Sequence, residues 1–140
     1  MPSQSFGAAR MTGADPGQAT GHRKIAAEIS DGMIELIREF YGTEPSRTST
    51  IYQDDLVLVV IVGGFTTIEK TLSEAGRTEE VSRLRHAFQD VMESRFKALV
   101  ENATGRKVTA LLSGDDENPD MLGEMFLLES REGPEDEPAG

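Results

Sequence analysis

Cysteine and tryptophan are absent from the 140 residues, histidine occurs only as His22 and His86, and the aromatic set is two Tyr and six Phe. Without thiols there can be no disulfide framework, thiolate zinc site, Fe–S cluster or cysteine nucleophile, and a reducing compartment costs such a chain nothing. One mid-chain histidine does not assemble a Ser-His-Asp or Cys-His arrangement, so no catalytic residue is assigned, and His86 reads as a surface imidazole. Long apolar runs are also missing. The longest, Leu56 to Val62, has seven residues, whereas a helix needs about 20 to cross a bilayer. A soluble, cytoplasmic chain is the expectation. Residues 1–17 are rich in Gly, Ala, Ser and Pro and lack the apolar segment of a signal peptide, which predicts a disordered leader.

What is present suits one domain, expected over residues 18–130. Acids outnumber bases 25 to 14, for a net charge of −11. The imbalance is local, because residues 115–140 carry a net −9 and residues 1–114 only −2. Anionic composition argues against a nucleic-acid partner. Residues 131–140 alternate acid with Gly and Pro and predict a solvated, disordered tail.

Helical periodicity occurs twice. Ile25, Ile29, Met33, Leu36 and Phe40 recur at three- and four-residue steps between Gln18 and Tyr41, with Gly42 as the stop. Val81, Leu84, Phe88, Met92, Phe96, Leu99 and Ala103 form a second stripe, begun by Thr78 and ended by Gly105, with Arg85 off the stripe. Phe88, Met92 and Phe96 at that spacing are read as a core face. A short helix is expected over Thr66 to Ala75, because Thr66 followed three residues later by Glu69 is a capping-box pattern.

Strands are expected at Ser49 to Gln53 and Leu56 to Val62, joined tightly by Asp54-Asp55. The second is apolar on both faces, as strands in mid-sheet or beneath a partner are. A second hairpin is expected from Lys107 to Leu112 and Met125 to Leu128, with Ser113 to Asp120 as an acidic loop. The order α-β-β-α-α-β-β predicts an α+β fold, a four-stranded antiparallel sheet with the long helices packed on one face.

Two local patterns suggest chemistry and fall short of a motif. Asp115 to Asp120 is rich in oxygen ligands but lacks the glycine and glutamate positions of an EF-hand loop, so no metal is assigned. Gly63-Gly64 lacks the remainder of a Walker or dinucleotide fingerprint, so no cofactor is assigned and a strand terminator is expected. The amides of Gly64-Phe65-Thr66 could still meet an anion at a helix start.

Several segments together resemble a bacterial family named after MpsC, the third component of a sodium-translocating, membrane-potential-generating system. The resemblance lies in Gly105-Arg106-Lys107-Val108 running to Ser113, in Pro119-Asp120 followed by Phe126-Leu127-Leu128-Glu129, and in the apolar Leu56 to Ile61 followed by Phe65-Thr66-Thr67-Ile68-Glu69-Lys70-Thr71-Leu72. Val81 with Arg85 is similar to a Val-x-x-x-Arg step of the family. The matched segments span residues 20–129. One departure is Glu44, which stands where the family's Gly-x-Gly-Pro turn has its second glycine.

The resemblance implies a cytoplasmic protein peripheral to the inner face of the membrane, beside an integral-membrane partner. The leading expectation is a non-catalytic accessory or regulatory interaction protein, a homodimer that covers its apolar second strand or a long-helix face. The alternative is a small-molecule or anion-binding module using Thr66, Glu69, Arg85 and Ser113, which are polar residues within the family-like segments. A carboxylate-based enzyme is a third reading. Each of the four residues also has a structural explanation: Thr66 and Glu69 cap a helix, Arg85 pairs with an acid and Ser113 ends a strand.

Overall fold

A computed structural model describes residues 16–117 and 119–131, with side chains described from Gly21 onward. The elements are α1 (Pro16–Tyr41), β1 (Arg47–Gln53), β2 (Leu56–Val62), α2 (Thr67–Glu74), α3 (Thr78–Thr104), β3 (Val108–Glu117) and β4 (Asp120–Leu128). The leader and tail expected at residues 1–17 and 131–140 lie outside the described residues, apart from Pro16, Gly17 and Arg131. The expected α+β order holds.

The strands pair antiparallel in the order β1-β2-β4-β3, so two hairpins are joined by their second strands. Both long helices cover one face. Ile29, Met33 and Ile37 of α1 and Met92, Phe96 and Val100 of α3 form one core with Val57, Val59 and Ile61 of β2 and Phe126 and Leu128 of β4. Because side chains alternate along a strand, the same register turns Leu56, Leu58, Val60 and Val62 to the other side of the sheet, where no described element covers them. β2 is therefore central in the sheet and yet open on one face.

Helix ends follow local chemistry. Gly42 has φ 83° and its N–H donates to the Ile37 carbonyl at 3.0 Å, while Gly105 has φ 72° and closes α3 on Glu101 at 2.8 Å. Only a residue without Cβ adopts that conformation cheaply. α3 begins at Thr78, as expected, and Arg77 precedes it without a side-chain cap bond. Glu44, the departure from the family's turn, forms a two-pronged ion pair with Arg38 at 2.7 and 3.0 Å.

Three sequence expectations are corrected. Phe40 is 42% exposed and lies under Arg95, while Ile37 holds the core position. In α3 the buried face runs through Val81, Arg85, Gln89, Met92, Phe96 and Val100, so Leu84 is exposed and Arg85 is not. Most importantly, the acidic segment Ser113 to Asp120 is mostly strand. β3 extends to Glu117 and β4 begins at Asp120, which lengthens this hairpin well past the expected ends.

Gly63 ends β2 where the chain is tightest. It has φ +72°, and a Cβ there would lie 2.2 Å from Ser46 Oγ. Gly63→Ala is expected to cost about 1–3 kcal/mol, from positive φ and the clash together. A urea midpoint unchanged from the parent would contradict this.

A buried ionic cluster as candidate functional site

The α2 start positions the first group. Thr66 Oγ1 accepts from the Glu69 amide at 3.0 Å, and Glu69 Oε1 accepts from the Thr66 amide at 2.8 Å, a complete capping box. With one oxygen so engaged, the other points into the molecule. Glu69 Oε2 accepts from Arg85 Nε at 3.2 Å and from the Tyr41 hydroxyl. Arg85 then reaches β4, where its Nη2 donates to Asp120 Oδ1 at 2.8 Å. Asp120 Oδ2 accepts from the amides of Gly64 and Phe65 at 2.9 and 2.7 Å. The Phe65 ring faces the guanidinium at 4.2 Å.

Glu69 has no exposure and Arg85 only 2%. Charges this buried persist only when paired and hydrogen-bonded. Burial opposes the charge on Arg85, but Asp120 and Glu69 outweigh it and hold its pKa above the ordinary value. Tyr41 is held well above the usual phenol range by burial, then by its bond to Glu69. Arg85 Nη1 is buried with no hydrogen-bond partner among the described residues.

One helical turn along α3, a second group begins at Gln89. Its Nε2 donates to Glu124 Oε2 and to the Gly114 carbonyl, both at 3.1 Å, and Glu124 also accepts from the Ser113 hydroxyl. Glu124 is fully buried, and among the described residues its side-chain partners are the neutral Gln89 and Ser113. Burial pushes its carboxyl up to about 7, against the hydrogen bonds from Ser113 and Gln89. Farther along β3, Asp115 pairs with the exposed His86 at 3.1 Å.

Of the four residues expected from sequence, Thr66, Glu69 and Arg85 converge, and Ser113 joins the neighbouring Glu124 group instead. The anion expected at the Gly64-Phe65 amides is an internal one, the Asp120 carboxylate. Sequence reasoning missed Tyr41, Gln89, Asp120 and Glu124. Glu124 carried a signal, since it falls between Leu122 and Phe126 on the inward phase of β4. Asp120 stands in the family-like Pro119-Asp120 step, but the acidic stretch around it has the composition of a solvated loop.

Other chemistry is sparse. No group of three or more metal-ligating side chains occurs among the described residues, and no described helix is long and apolar enough to cross a membrane. A shallow depression at the far end of β4 is lined by Thr104 to Lys107 and Glu129 to Arg131. Its Arg106 is already committed to Asp55, the Asp54 carbonyl and the Glu129 carbonyl.

Residues 22–130 match a family model described as "Na+-translocating membrane potential-generating system (MpsC)". No curated protein and no solved structure matches the chain.

Proposed function

The chain belongs to the MpsC family, and from that premise we propose a non-catalytic accessory protein of a sodium-translocating membrane system. It acts as a homodimer in the cytoplasm, at the inner face of the membrane beside an integral partner. The observation that carries this reading is how polarity is distributed. The charged groups that could do chemistry are turned inward and bonded to one another, whereas Ile51, Leu56, Leu112, Met125 and Leu127 are exposed together on the open side of the sheet. Apolar surface gathered in one place is the mark of an interaction surface.

The competing anion-binding reading at Thr66, Glu69, Arg85 and Ser113 has the opposite support. An external anion would need the amides and guanidinium that Asp120 already holds. Bacterial cells lacking the chain test the proposal through their sodium-dependent membrane potential, read with a potential-sensitive dye. The expected result is a lower potential, restored when the full chain is supplied again. An unchanged potential contradicts an accessory role.

A further inference from the structure

The geometry points to a specific two-fold pairing in which the open faces of two sheets pack together about an axis parallel to the strands. This inference rests on the homodimer reading and adds the surface and the symmetry. It begins with the register. One row across the outward face reads Arg47, Val62, Met121, Asp116, with Arg47 on one edge strand and Asp116 on the other. Two rows along lies an apolar row of Ile51, Leu58, Met125 and Leu112. Among the paired outward positions of the sheet, Arg47 and Asp116 are the charged ones, and both are exposed.

A two-fold axis lying in the interface and parallel to the strands exchanges the sheet edges while keeping each row at its own level. Under that operation β1 lies over the partner's β3. Arg47 then faces the partner's Asp116, and by symmetry Asp116 faces the partner's Arg47. Ile51 meets the partner's Leu112, and Leu58 meets the partner's Met125, so the centre is apolar and the charges sit at its rim. Stacked sheets are about 10 Å apart, a gap that a long arginine side chain can bridge from the edge. Isologous interfaces need this kind of self-complementarity. An in-plane axis perpendicular to the strands instead sets Arg47 over the partner's Gln53 and Asp116 over the partner's Ala110, so neither meets an opposite charge across the interface. The register therefore selects one occupant, a second copy, and one axis.

Light scattering and sedimentation of the full chain test this. The wild-type chain is expected to dimerise and Leu58→Glu to be monomeric with unchanged circular dichroism. Arg47→Asp and Asp116→Arg are each expected to weaken dimerisation about tenfold, because like charges then oppose each other twice per dimer. An equimolar mixture of these two variants is expected to regain wild-type affinity, since every 47–116 contact in the mixed dimer joins opposite charges. A monomeric wild-type chain overturns the homodimer reading itself. A dimer that survives Leu58→Glu leaves that reading standing and overturns this surface. Charge variants with wild-type affinity, or a mixture without rescue, overturn the axis.

Discussion

Arg85→Ala is expected to lower the unfolding free energy by about 3–5 kcal/mol, the usual cost of stranding a buried charge. The change removes the cation from between Glu69 and Asp120, where it donates at 3.2 and 2.8 Å. Both carboxylates keep their backbone amide bonds, so they stay in place and repel each other in a poorly solvated site. Typical domains are stable by only 5–15 kcal/mol, so the loss is a large share of the whole. Arg85→Lys is expected to fall between, since a point charge cannot serve two carboxylates through a planar fork. Urea denaturation at pH 7 measures this. A loss below about 1 kcal/mol at pH 7, the range of exposed ion pairs, contradicts a tightly coupled cluster.

Glu124 is expected to make stability fall as pH rises through the acid-to-neutral range. Its carboxyl has an ordinary value of 4.5 and is raised to about 7 in the folded chain, chiefly by burial. Between those values the folded chain holds a proton that the unfolded chain has released. The protonated form therefore contributes its full benefit below about 4.5, and the benefit is lost as pH climbs through about 7. The difference corresponds to about 3 kcal/mol. Glu124→Gln keeps the shape and removes the titration. Relative to the wild-type chain, it is expected to gain about 3 kcal/mol at pH 8 and almost nothing at pH 4.5. Thermal or urea midpoints of both proteins across this range isolate the group from other titrations. A pH-independent difference contradicts it.

Where sequence and structure agree, the signal was local. The capping box of α2, the glycine stops after α1 and α3 and the limits of β2 each depend on residues a few positions apart. Where they differ, polarity was read as exposure. Asp115 and Asp120 look like a solvated loop, yet the register carries them inward to meet α3. Arg85 and Gln89 interrupt the apolar period of α3, so the apolar stripe in the sequence runs through Leu84 while the buried face does not. Both errors share one physical cause: the inward polar residues on the helix and on the hairpin explain one another. Arg85 is 16 residues from Glu69 and 35 from Asp120. No window of sequence long enough to show a helix or a hairpin contains all three. Arg85, Glu69 and Thr66 were singled out from family-like segments, and the geometry brings those three together without making them a vacant site.

The proposed division between an inward ionic cluster that maintains the fold and an outward sheet face that meets a partner is tested most directly in cells. Sodium-dependent membrane potential is measured in cells lacking the chain, supplied with either the wild-type sequence or Leu58→Glu, at equal levels of folded protein. Restoration by the wild-type chain and failure of Leu58→Glu is the predicted result. Full restoration by Leu58→Glu would contradict it.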